Sequence, residues 1–232
     1  SLPWLIFYEL CYYKKPTIIH KLLDIEMTRK TSLFCNSDFL SIALPMICMN
    51  GYIDIVNRFL SMETKYSKIS IRSDDYGGFK YACLHGRVEI VKKLLSIQNT
   101  HGRINIHMDN EYAFRHACQS GNLELINMLL QAEDTYGKID IHADNDFAFR
   151  AACKNGHRGI VERLLELEED HGQINIHACY SEALINACKY GHLYIVKRLL
   201  GLKETHGECC IYYAWKEASI YEQTRILLEL NK

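Results

Sequence analysis

Small, apolar and polar residues recur along this chain at helical spacing, in paired segments. From Asp144 to Gly156 (DNDFAFRAACKNG), Phe147, Ala148, Ala151 and Ala152 return every three or four positions. They follow a run of Asp and Asn, side chains that cap helix N-termini, and Gly156 stops the pattern, so a first helix is predicted here. From His157 to Glu169 (HRGIVERLLELEE), Ile160, Val161, Leu164, Leu165 and Leu167 share one face, with Glu and Arg on the other. That pattern predicts a second, antiparallel helix. From Asp170 to Ala178 (DHGQINIHA) the period falls to two: Gly172 permits a turn, and Ile174 and Ile176 alternate with polar residues. A short extended or hairpin segment is expected there.

This unit repeats. Gly51, Gly86, Gly121, Gly156 and Gly191 each stand 35 residues after the last, and so do Cys48, Cys83, Cys118, Cys153 and Cys188. The pairs Phe59-Leu60, Leu94-Leu95, Leu129-Leu130, Leu164-Leu165 and Leu199-Leu200 keep the same step. A third series, Gly102, Gly137, Gly172 and Gly207, leads to Ile106, Ile141, Ile176 and Ile211. One helix pair buries too little surface to stand alone, so units of this length must stack and hide apolar side chains on both faces. The fold expected is an all-α helix-turn-helix solenoid with short extended or hairpin loops, forming one domain over 1–232. Its full units fall at 36–70, 71–105, 106–140, 141–175 and 176–210, with an atypical capping unit at 1–30 and a truncated one at 211–232. In the first of these caps, Cys11 to Leu23 keeps the Cys and Leu-Leu spacing, but Lys14 replaces the glycine, 37 residues before Gly51. In the last, Ala218 is in register with Ala183, while Leu227-Leu228 arrive seven residues early, which implies a deleted turn.

The stretch Ala148 to Leu165, AFRAACKNGHRGIVERLL, resembles the TPLHxAxxxGHxxIVxxLL core of the ankyrin repeat, and the resemblance covers nearly the whole chain. Two departures stand out. Lys80, Arg115 and Arg150 occupy the position of the family's His, and Ala-Phe replaces its Pro-Leu. The seven residues from Leu165 to Gly172 exceed the family's usual spacing, so the second helix is expected to gain about one turn of 3.6 residues. A loop shorter by two then accounts for 35 residues in place of the common 33 or so. This variant is similar to arrays of giant viruses of amoebae and of some intracellular bacteria and protists. The resemblance implies a non-catalytic protein-interaction module that contacts its partner through loop tips and the concave face of the first helices.

Composition narrows the function further. With 27 Lys plus Arg against 28 Asp plus Glu, the net charge of −1 lacks the phosphate attraction that nucleic-acid binding needs, so no nucleic-acid partner is expected. No apolar run approaches the roughly 18 residues that span a bilayer, and the segment from Ser1 to Leu10 lacks a basic leader and a cleavage site. A cytoplasmic location, in a host cytoplasm or virion for a viral protein, is therefore expected. The chain opens on Ser straight into a hydrophobic run, so residues upstream are also expected.

Candidate chemistry adds little. The Cys series lies on stacked helices about 8 to 10 Å apart, too far for zinc or disulfide geometry, and is expected to be small core residues. Cys179, Cys209 and Cys210 with His177 or His206 leave a weak metal alternative. His107, His142 and His177, and likewise His101, His171 and His206, are expected to order the loops by hydrogen bonding, with a pH-sensitive edge as the alternative. The Asp and Asn clusters at 74–75, 109–111 and 144–146 are expected to cap the first helices or to form an acidic rim that Lys80, Arg115 and Arg150 would neutralise. No nucleophile, phosphate-loop or HExxH signature is present, so no catalytic residue, metal or cofactor is expected. The expected partner is a protein, met at the loop positions Asp75, Tyr76, Asn110, Glu111, Asn145, Asp146 and Tyr180 and at Tyr81, His116, Ala151 and Asn186 on the first helices. Homo-oligomerisation is not required. End-to-end assembly through the aromatic opening SLPWLIFYELCYY is one alternative, and an adaptor whose effector segment lies outside this chain is another.

Overall fold

A computed structural model describes residues 2–29, 37–61, 77–101, 103–207, 209–221 and 223–230. The chain forms two compact units, Ser1–Asn105 and Ile106–Lys232. Among the described residues, all regular structure is helical.

The first unit holds α1 (Leu2–Tyr12), α2 (Pro16–Arg29), α3 (Ser37–Asn50), α4 (Ile53–Ser61), α5 (Gly77–Leu84) and α6 (Val88–His101). They pair as hairpins α1/α2, α3/α4 and α5/α6. The first helices form one row, α1 on α3 on α5, and the second helices another, α2 on α4 on α6. The second unit repeats this plan with α7 (Met108–Ser120), α8 (Leu123–Gln131), α9 (Glu133–Tyr136), α10 (Ala143–Asn155), α11 (Arg158–Glu166), α12 (Glu168–His171), α13 (Ala178–Lys189), α14 (Leu193–Leu200), α15 (Lys203–His206), α16 (Ile211–Ile220) and α17 (Thr224–Leu230). Here α7, α10, α13 and α16 stack in sequence, and α11, α14 and α17 form the second row. Each unit is a helix-turn-helix solenoid.

Residue size sets this stacking. The first helices bury Ala113, Ala117, Cys118, Ala148, Ala152, Cys153, Ala183, Ala187 and Cys188, small side chains that let neighbouring axes approach, around a column of Phe114, Phe149 and Leu184. The second helices are amphipathic and bury Ile160, Val161, Leu164 and Leu165 in α11, and Ile195, Val196 and Leu199 in α14. At the turn between paired helices, Gly156 has a φ of +76° and a Cβ there would lie 2.6 Å from the His192 ring. The bare glycine is thus the seat of the next hairpin's imidazole. Its Nε2–H donates to the Lys154 carbonyl at 2.9 Å, as His157 does to Gln119 at 3.0 Å. Lys14 holds the same turn in the first hairpin at a φ of +53°.

Four expectations change. The added turn of the second helix runs on unbroken in α6, which reaches His101, but beyond α8, α11 and α14 it is a separate four-residue helix, α9, α12 and α15. The loop isoleucines Ile139, Ile141, Ile174 and Ile176 do point inward alternately, but no strand or hairpin forms among the described residues. The Asp and Asn clusters at 109–111 and 144–146 do not cap by side chain, and the one at 74–75 lies outside the described residues. Asp109–Glu111 and Asp144–Asp146 form left-handed turns, each residue at a φ between 49° and 61°, at the entry to α7 and α10. Asp and Asn tolerate that conformation better than other non-glycine residues, which explains their concentration there.

The last change concerns register. The Gln223 N–H donates to Ala218 O at 2.8 Å as the His192 N–H does to Ala187 O at 2.9 Å, and the Gln223 amide sits over Gly191. Ala218 therefore matches Ala187, 31 residues on, and not Ala183. The residues missing from this hairpin belong to the left-handed turn before α16, where the described residues show no positive φ. The helix-to-helix turn is kept because its hydrogen bond closes the hairpin, and Ile226 and Leu230 then fall where Ile195 and Leu199 do, all buried.

Candidate partner-binding rim

The rim of the second unit is built from three left-handed turns, at residues 109–111, 144–146 and 179–181. In each, the first two residues are exposed and the third is buried: Glu111 at 6%, Asp146 at 4% and Ser181 at 2%. The buried group reaches the next loop. Glu111 Oε1 accepts the Asp140 N–H, Asp146 Oδ2 the Asn175 N–H and Ser181 Oγ the Cys210 N–H, each at 3.3 Å.

A histidine completes each tie. His142 Nε2 donates to the His171 carbonyl at 3.0 Å while Nδ1 meets Asp146 Oδ1 at 2.7 Å, and His107 joins the Tyr136 carbonyl and Glu111 in the same way. His177 Nε2 donates to the His206 carbonyl at 2.7 Å. The second histidine series closes the loops from the other side, His171 onto Glu133 and His206 onto Glu168. A ring whose Nε2–H is spent on a carbonyl presents Nδ1 to a carboxylate, so one proton must lie between them, on the imidazole or on the acid. Burial lowers the His107 and His142 values, but the hydrogen bonds to Glu111 and Asp146, the loop carbonyls and nearby carboxylate charge outweigh it, and both imidazoles stand above their ordinary value. Burial raises the Asp146 carboxyl too, against the pull of His142.

The sign follows. Folding takes up a proton here, so its stabilisation is complete below the ordinary imidazole value of about 6.5 and is lost as pH rises through the elevated folded value. The raised Asp146 acts in the same sense. Tm should therefore fall between about pH 6 and pH 8, and His142→Gln should flatten the slope in a thermal melt series. A Tm that rises across that interval would exclude the shared proton.

The arginines in place of the family's His hold the turns from above. Arg115 Nε donates to Asn110 O at 2.6 Å, Nη2 to Asp109 O at 2.9 Å and Nη1 to Asp144 Oδ2 at 2.8 Å. Arg150 repeats this on Asn145 O at 2.8 Å and Asp144 O at 2.9 Å, and its Nη1 pairs with Glu182. Phe147 stands between the two guanidiniums, 5.2 and 5.7 Å from its centroid. Asp144 and Glu182 are thus neutralised by arginine, which removes the acidic-rim reading for this unit.

These contacts sort the predicted contact residues. Asn110, Asn145 and Tyr180 stand exposed at the turns, Tyr180 at 88%, and Tyr81 is exposed on α5. His116 is half-buried, its ring tilted against those of Tyr112 and Phe147 at centroid distances of 4.0 and 5.5 Å, and burial lowers its imidazole. Asn186 donates to Glu182 Oε1 at 3.1 Å. Glu111, Asp146 and Ala151 leave the exposed set: the two carboxylates are consumed by the loop ties, and Ala151 is 7% exposed on the packed face of α10. Asp75 and Tyr76 lie outside the described residues. Tyr112, Phe147, Arg115 and Arg150 were not predicted as contact residues, although an Arg six residues after an Asp-Asn pair was the available signal.

The cysteine series is core. Cys48, Cys83, Cys118, Cys153 and Cys188 are free thiols with no exposed surface, and burial raises them, Cys188 to about 12. Among the described residues no three His, Cys, Asp or Glu side chains are placed to hold a metal, and no helix is long and apolar enough to cross a membrane.

A family model for ankyrin repeats in three copies matches residues 79–176 and again 149–232. The chain belongs to the ankyrin-repeat family. Ankyrin repeats generally mediate protein–protein interaction, and no curated protein matches the chain.

Proposed function

We propose that this protein is a non-catalytic cytoplasmic scaffold that takes a protein partner on the rim of its left-handed turns and on the exposed side of its first helices. The repeats are read as the 35-residue variant, with five full units at 36–70, 71–105, 106–140, 141–175 and 176–210 between atypical ends. One observation carries the reading. Each turn spends its third residue and its histidine on the loop, while positions 110, 145 and 180 project outward as Asn, Asn and Tyr, free of that tie. A rigid support with outward-facing tips suits recognition, because the contact groups are held without an ordering cost at binding.

The test is the triple substitution of Asn110, Asn145 and Tyr180 by Ala, set against a control triple of Glu124, Arg158 and Lys197 on the second helices. Affinity for the partner recovered from the native cell should fall at least tenfold with the first set and stay within twofold with the second. The reverse pattern removes the assignment. A second reading, end-to-end assembly, draws on the exposed apolar residues of the terminal hairpins, Tyr12 and Tyr13 in the first and Tyr212, Trp215 and Leu228 in the last.

A further inference from the structure

The third left-handed turn lacks a feature that the first two share. Residues 109–111 and 144–146 each carry a guanidinium across their two exposed carbonyls, from Arg115 and Arg150. Residues 179–181 adopt the same backbone, with φ of 51°, 61° and 64°, but the equivalent position is Ile185, which has no donor. Cys179 O and Tyr180 O receive no side-chain donor among the described residues. Cys179 and Tyr180 are both exposed, so the approach to this carbonyl pair is from solvent.

We propose that the turn at Cys179–Ser181 is an arginine cradle, which receives the guanidinium of an arginine side chain on the partner protein. The repeat itself supplies the template. Twice in this chain an arginine fork places Nε on the carbonyl of the turn's second residue and Nη2 on that of its first, at 2.6 to 2.9 Å. The same acceptor pair at 179 and 180 fits the same planar fork, which a lysine ammonium does not match. Neighbouring groups favour the fit. Tyr180 offers an exposed ring for stacking a guanidinium, and Ser181 is tied inward to Cys210, which holds the turn in shape. The inference rests on the scaffold reading and adds the chemistry of the partner residue at this unit.

The probe is the blocked tripeptide Ac-Gly-Arg-Gly-NH2, titrated into the full chain with backbone amide chemical shifts as the readout, and its lysine counterpart as control. The arginine peptide should give saturable shifts confined to residues 179–182, with at least fivefold weaker response to the lysine peptide. Ile185→Arg should fill the cradle internally, abolish those shifts and raise Tm, whereas Ile185→Ala should leave binding in place. Equal response to the two peptides, or shifts away from 179–182, overturns the cradle whether or not the Ile185→Arg protein folds. A partner captured equally by wild type and by Ile185→Arg also overturns it while leaving the rim reading intact. Loss of that rim reading would show instead in the triple substitution.

Discussion

Phe149→Ala is expected to remove about 3–5 kcal/mol of stability, the largest single effect in the chain. Phe149 has no exposed surface and lies in α10, which is stacked on both α7 and α13. Its removal opens a cavity that the alanines and cysteines buried along this row of helices are too short to fill. In an array whose units are stable only through their neighbours, a weakened middle unit loosens the units on either side of it. Thermal or urea unfolding should show Tm lower by roughly 10 °C. Phe147→Ala, two residues away on the half-buried rim, should cost far less. A loss below about 1 kcal/mol for Phe149→Ala would mean that α10 is not the centre of a packed stack.

Arg150→Ala comes next, at about 2–3 kcal/mol. Its side chain is 12% exposed, spans two turn carbonyls and Glu182, and covers one side of Phe147. Truncation leaves three acceptors without their charged donor and releases a turn whose residues all have positive φ. Arg150→Lys should recover little of this, because an ammonium cannot bridge both carbonyls in one plane while also reaching Glu182. Urea midpoints for the two variants should therefore lie close together and well below wild type. A lysine variant as stable as wild type would mean that charge alone, and not the fork, holds the turn.

Much of this was legible from residue order. The glycine and cysteine series, the paired leucines and the loop isoleucines name the helices, their order and the buried faces, because burial against identical neighbours demands the same side chain at every step. Glycine at 51, 86, 121, 156 and 191 signals a left-handed turn from its type alone. The rim was less legible. Asp-Asn runs before a helix have two uses, side-chain capping and tolerance of left-handed backbone, and spacing does not separate them. Glu111 and Asp146 were expected to face outward for that reason. The backbone reversal through three residues turns their side chains in toward His107 and His142 instead. Ala218 was misplaced by a related ambiguity, since a chain containing Ala214 and Ala218 offers two registers one helical turn apart.

The amino-acid sequence by itself determined the repeat, the all-α helix-turn-helix class, the family resemblance and the core role of the cysteines, because each depends on periodicity and residue size. Only the tertiary structure decided which polar groups remain for a partner. That outcome depends on contacts between residues about 29 to 38 positions apart, such as Arg115 with Asp144 and His192 with Lys154, whose formation turns on backbone dihedrals that residue type only biases. The same dihedrals leave Cys179 and Tyr180 with the one such carbonyl pair that no arginine spans among the described residues of the second unit.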